Sequence, residues 1–153
     1  MTEFDNDFDA DKMASDRDVL DDVNRKVVEE FRANGGKVGG PFAGSDIVLM
    51  TNVGAKSGKP RVSPLVYFPV DGRILIAGSF GGAPKAPAWV HNLRANPRVH
   101  VEIGTEAFDA DAHELPLDER NALYPRVVEL APQFGEYQSK TDRVIPLFEL
   151  VRA

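Results

Sequence analysis

The strongest constraint on the fold of this chain is a succession of short apolar runs separated by tight-turn signals, with no strand–helix–strand unit repeating among them. Asp71-Gly72 lies between runs at 62–70 and 73–78. Both central positions of the favoured two-residue hairpin need positive φ, which this dipeptide tolerates. Ile47-Val48-Leu49-Met50 reads as a buried strand. Val99, Val101 and Ile103 alternate with His100, Glu102 and Gly104. After Gly104-Thr105 the alternation resumes with Phe108, Ala110 and Ala112, so each run presents one face to a core. Residues 144–151 make a last strand, in which Pro146 predicts an edge or a bulge.

Helical signals lie outside these runs. Ser15 to Asp18 resembles a helix start, and Leu20, Val23, Val27, Val28 and Phe31 form one face of a helix that Asn34-Gly35-Gly36 ends. Pro87 opens a short helix that Asn96-Pro97 stops. A third spans about 117–130, kinked or interrupted at Pro125. The sum is about six strands joined mostly by tight turns, with two or three helices outside. That pattern argues against Rossmann and P-loop architectures and for a small antiparallel barrel, whose closure removes exposed edges. The organisation expected is an acidic disordered tail at 1–14, a helix and glycine-rich loop at 15–44, and the barrel at 45–153.

Composition narrows function. The chain has no cysteine, which excludes disulfides, thiolate catalysis and thiolate metal sites. His91, His100 and His113 lack metal-ligand spacing, so no metal is expected. No apolar run approaches a membrane span of roughly 20 residues, and the acidic start is no signal peptide, so a cytoplasmic protein is the expectation. The net charge of −6 hides an asymmetry: residues 1–22 carry −7 and the remainder +1. Residues 47–101 hold seven bases and a single acid, Asp71. A cationic region inside an acidic protein fits a localised anionic ligand and not nucleic acid.

Two motifs fail on inspection. Gly54-Ala55-Lys56-Ser57-Gly58-Lys59-Pro60 has one residue too few between its glycines for a P-loop, and Pro60 stands where Ser or Thr would hold magnesium. Ala77-Gly78-Ser79-Phe80-Gly81 has Ala77 where a nucleophile elbow needs glycine.

Three constellations remain. Lys56, Ser57, Gly58, Lys59, Arg61 and Ser63 place three cations and two hydroxyls at a strand–turn–strand junction. Such a turn can aim backbone N–H groups into one concavity while Arg61 forks a phosphate or carboxylate; the alternative is a solvated turn with surface lysines. Gly78-Ser79-Phe80-Gly81-Gly82-Ala83-Pro84-Lys85 is a glycine-rich turn feeding the helix that holds Trp89, His91 and Asn92. Its glycines permit close approach to a flat ligand, and Trp89 is either part of that site or a core aromatic. Tyr67, Tyr124, Phe134 and Tyr137 either wall an apolar pocket or pack the core.

Taken together, Gly54-Ala55-Lys56-Ser57-Gly58-Lys59-Pro60-Arg61, Gly81-Gly82-Ala83-Pro84-Lys85, Pro87-Ala88-Trp89, His91-Asn92-Leu93, Ala95-Asn96-Pro97, Glu136-Tyr137-Gln138 and Arg143-Val144-Ile145-Pro146 resemble the deazaflavin (coenzyme F420)-dependent nitroreductase family. The resemblance covers about 45–151. It implies an α+β, β-rich fold: a six-stranded antiparallel split β-barrel with flanking helices. It implies an oxidoreductase that passes hydride from the C5 carbon of reduced coenzyme F420 to an electron-poor acceptor such as a quinone, enone or nitroaromatic.

By position, Lys56 and Arg61 would bind the cofactor's phosphate and acidic tail, with Ser57, Gly58 and Lys59 lining the turn. Ser63 and Pro64 would follow along the cofactor, and Ala77, Gly78, Ser79, Phe80, Gly81 and Gly82 would meet the ring and its linker. Lys85, Trp89, His91 and Asn92 would close the groove; Tyr67, Phe134 and Tyr137 would lie near substrate, with Tyr67, Ser79 or Tyr137 as proton donor. Ala55 stands where many members carry Arg, and Val90 where many carry Tyr. The competing expectation is a non-catalytic split barrel binding FMN, haem or a fatty acid. Two further expectations are a homodimer and peripheral membrane contact through the first helix.

Overall fold

Alternation of apolar residues is sufficient to build most of the sheet, and the turn residues set where it reverses. The structure is a computed structural model that describes residues 17–39 and 44–153. The acidic tail expected at 1–14, the Ser15 helix start and residues 40–43 of the glycine-rich loop lie outside the described residues. Helix α1 (Arg17–Ala33) precedes strands β1 (Ile47–Val53), β2 (Pro60–Val66), β3 (Phe68–Val70) and β4 (Arg73–Ala77). A single 3₁₀ turn (Phe80–Gly82) and helix α2 (Ala88–Ala95) lead to β5 (Arg98–Ile103) and β6 (Glu106–Glu114). Helices α3 (Leu117–Leu130) and α4 (Gln133–Ser139) come next, then β7 (Leu147–Arg152).

The seven strands form one sheet in the order β2-β1-β5-β6-β7-β4-β3, and every neighbouring pair is antiparallel. The count exceeds the expected six because the run at 62–70 is two strands. Tyr67 donates its N–H to the Asp46 carbonyl at 2.9 Å. The chain then leaves β1, where Val66 faces Ile47, and pairs Phe68 with Leu75 of β4. The first and last strands of the order are therefore joined through Tyr67, so the sheet curls until its edges meet at that residue.

Asp71 and Gly72 adopt φ of 52° and 78°, the mirror-image turn their sequence predicts. Pro146 sits just outside β7, which is an interior strand between β6 and β4. An edge or a bulge was the expectation; the proline is accommodated because the strand starts one residue later, and its carbonyl still accepts the Gly78 N–H at 2.9 Å. Helix α3 runs unbroken through Pro125, which lies on its exposed side. Helix α4 had no clear signal in the sequence.

Three apolar groups make the core. Val48, Met50, Val101, Ala110 and Phe148 pack with Trp89, Val90 and Leu93 of α2. Phe68, Leu75 and Leu147 pack with Leu123, Tyr124 and Val127 of α3 and Phe134 of α4. Val23, Val27 and Phe31 of α1, each 2% exposed, cover Ile47 and Leu49. Those three side chains are consequently spent on the sheet and are withheld from any lipid surface. No helix among the described residues is long and apolar enough to cross a membrane.

Candidate active site

The cationic turn is built by backbone bonds between its glycines. Gly54 donates to the Lys59 carbonyl at 2.9 Å, and Gly58 donates to the Gly54 carbonyl at 2.9 Å. Gly58 takes φ of 68°, which a side chain would strain, and Lys59 donates its N–H to Ser57 Oγ at 3.2 Å. Lys56, Ser57, Lys59 and Arg61 are exposed, and neither lysine makes an ion pair among the described residues. Lys56 and Lys59 thus present positive charge to solvent. Ser63 and Pro64 follow on β2, half-buried, opposite Met50 and Leu49.

Beneath the turn lies a buried amide pair. Asn92 of α2 donates from Nδ2 to Asn52 Oδ1 at 2.8 Å and accepts the Ala55 N–H at 2.9 Å. Asn52 in turn donates to Ser63 Oγ at 3.1 Å and lies near the Met50 and Arg61 carbonyls. The two asparagines are 1% and 7% exposed, so the amides of this pair couple helix α2 directly to the cationic turn. Asn52 was not singled out in the sequence; a polar residue in a strand reads as outward-facing, and only the approach of α2 buries it.

The glycine-rich turn is the second wall. Gly78 follows Ala77 at the end of β4, and a Cβ there would lie 2.6 Å from Val90 Cγ2 and 3.0 Å from Pro146 Cγ. Phe80 adopts φ of 49°, which is uncommon for a side-chain-bearing residue. Gly82 at φ 82° presses on the Tyr137 backbone, where a Cβ would meet the carbonyl oxygen at 2.7 Å. Ser79 is 7% exposed, and its side chain caps nothing in the 3₁₀ turn that it precedes. A buried hydroxyl with no partner in its own turn suits a polar group of a bound ligand.

Arg143 holds this turn from behind. Its guanidinium donates to the carbonyls of Ala83 at 3.0 Å, Gly78 at 3.1 Å and Ser79 at 2.8 Å. The sequence had placed Arg143 in a motif without a role; its partners are 60 to 65 positions away along the chain.

Other expected site residues are dispersed more widely. Trp89 sits in the core, 5.7 Å edge-to-face from Phe148, while Lys85 and His91 are exposed. Tyr67 packs against the group containing Trp89, whereas Phe134 and Tyr137, 5.0 Å apart, pack with Phe68 in the second group. Burial, with Asp46 nearby, pushes the Tyr67 phenol above its ordinary value; burial, with Glu136 nearby, does the same for Tyr137. Both therefore stay protonated at neutral pH.

A curled antiparallel sheet thus carries a turn with exposed lysines beside a glycine turn clamped by Arg143. The model of the F420H(2)-dependent quinone reductase family matches residues 23–151, and the chain belongs to that family. It is 34% identical over 128 residues to an F420H(2)-dependent quinone reductase of Mycobacterium tuberculosis strain H37Rv, spanning 80% of this chain and 85% of that protein. Among solved structures it resembles an F420-H2 dependent reductase, FDR-A, at 44% identity and a TM-score of 0.62, over 69% of this chain and 93% of the other. A protein described as a domain-swapped dimer matches at 39% identity and a TM-score of 0.64, over 86% and 98%. The haem storage protein HutZ from Vibrio cholerae, at 18% identity and a TM-score of 0.53 over 85% and 90%, shares the fold alone.

Proposed function

We propose that this protein is a coenzyme F420-dependent reductase that delivers hydride to a quinone or a similar electron-poor acceptor. The observation that carries the reading is the coupling of two complementary surfaces. An exposed turn bearing Lys56, Lys59 and Arg61 stands next to helix α2, and a rigid glycine turn at 78–83 abuts the same helix through Gly78 and Val90. The cofactor joins a flat ring to a polyanionic tail, so it needs one surface of each kind. Lys56, Lys59 and Arg61 bind the tail, Asn92 holds their turn in place, and the residues from Ser79 to Gly82 seat the ring. Bound in reduced form, the deazaflavin supplies a hydride from C5.

The chain's own contribution is orientation and a proton. The aromatic pair of Phe134 and Tyr137 on α4 faces an apolar acceptor and limits water at the reacting atoms. Hydride transfer leaves the acceptor anionic, and one proton completes its reduction. Tyr67, Tyr137 and Ser79 are the candidate donors, and the two phenols are held in the protonated form by burial. The neighbour described as a domain-swapped dimer supports pairing of this chain with a second copy, which sedimentation of the purified protein tests.

The deciding assay follows oxidation of reduced cofactor against a panel of quinones, enones and nitroaromatics, alongside titration with oxidised F420 and with FMN. Turnover with quinones and selective binding of F420 are expected. Tight FMN binding without F420 binding would refute the reading in favour of a flavin-holding module.

A further inference from the structure

Arg25, Arg32, Arg73, Arg94, Arg98, Arg126 and Arg152 each meet a carboxylate. Arg120 and Arg143 hydrogen-bond only neutral acceptors, although Arg120 is buried and Arg143 half-buried. A guanidinium removed from solvent without an acid partner is costly, so its neutral hydrogen bonds must be well formed and numerous.

Arg143 directs all three of its nitrogens at one short segment, the carbonyls of Gly78, Ser79 and Ala83. It is itself fixed. Gln138 donates from Nε2 to the Arg143 carbonyl at 2.8 Å, and accepts from Arg120 at 2.6 Å and from the Ile145 N–H at 3.0 Å. Arg120 also donates to the Ile145 carbonyl at 2.8 Å and stacks 4.0 Å over the Tyr124 ring. Helices α3 and α4 thus brace the segment that carries Arg143, and Arg143 braces the turn. The turn needs bracing: Phe80 is at φ 49°, and the backbone bonds within it run from Gly82 to Ser79 at 2.9 Å and from Ala83 to Phe80 at 3.1 Å.

We propose that Arg143 is the positioning residue of the ring-binding turn, the fork that keeps residues 78–83 in the backbone shape that seats a flat conjugated ring. The ring part of this inference rests on the function proposed above; the clamp itself does not. Lysine cannot replace it, because a single ammonium cannot span three carbonyls in a plane.

Two measurements test it. The first is amide hydrogen exchange on the ligand-free protein. Arg143→Gln and Arg143→Lys are both expected to speed exchange at Gly82 and Ala83 by about tenfold or more, with the amides of β5 and β6 unchanged. The second is binding of two probes, intact F420 and the tail-less deazaflavin riboside. Arg143→Gln is expected to weaken both by the same factor, about tenfold, while Lys56→Ala weakens only the intact cofactor. Unchanged exchange in the turn overturns the proposal. So does equal acceleration throughout β5 and β6, which marks a general stabiliser, and so does full recovery in Arg143→Lys. If the wild-type protein binds neither probe, the proposed function falls, and the exchange measurement still decides the clamp.

Discussion

Asn52 and Asn92 spend their amides on each other and on the backbone of the cationic turn, so a single truncation orphans several buried groups. Asn92→Ala leaves the Ala55 N–H and the Asn52 carbonyl oxygen unpaired, at a cost of about 1–3 kcal/mol, readable as a lower denaturation midpoint. Cofactor affinity should fall while its dependence on ionic strength keeps the same slope, because no cation is removed. Arg61→Ala should flatten that slope instead, and wild-type affinity at all ionic strengths in that variant would remove Arg61 from the tail site. Gly78→Ala meets Val90 and Pro146 and should destabilise by about 1–3 kcal/mol in the same assay. The phenols of Tyr67, Tyr124 and Tyr137 are all raised above the ordinary 10.0, chiefly by burial. Raised native values favour the protonated phenol in the folded state. The stability this gives is complete below pH 10 and is lost as pH rises through the native values. Thermal midpoints should drop on the alkaline side, and Tyr137→Phe should soften the drop. Sequence alone flagged Tyr67, Ser79, Tyr137 and Asn92, since their residue types advertise chemistry. It missed Asn52 and the role of Arg143, because each acquires its function only from a distant partner.

Elements tell a complementary story. Hairpins were legible wherever one turn carried its own signal, as at Asp71-Gly72 and Gly104-Thr105, since both strands and their register follow locally. The division of 62–70 was not legible, because the change of partner at Tyr67 depends on β1 and β4 competing for one continuous apolar run. Helix α1 was legible as an amphipathic face, and the structure shows that face spent on β1. Phe31→Ala should therefore cost about 3–5 kcal/mol in chemical denaturation, the range for a fully buried phenylalanine. A wild-type midpoint would mean that α1 is not packed as described. Helix α2 is tied to β6 by Arg94 and Glu114, two bonds of 2.9 and 2.8 Å. The arginine beside it holds Glu114 below the usual carboxylate range. That contribution is present above the ordinary carboxylate value and is lost as pH falls through the depressed one. Arg94→Ala should accordingly show a shallower loss of thermal midpoint on acidification.

Across the whole molecule, charge is distributed against the sign of its net value. The acid-poor window at 47–101 supplies the exposed cations of the β1–β2 turn, which the sequence could indicate by counting alone. What counting could not indicate is how the molecule divides labour along its length. The cationic turn is complete once β1, β2 and α2 have met, all within the first two-thirds of the chain. The glycine turn at 78–83 is not complete until Arg143 arrives, 64 residues after Ser79. The two turns thus differ in reach: one is held by neighbours close in the chain, the other by a guanidinium from near its end.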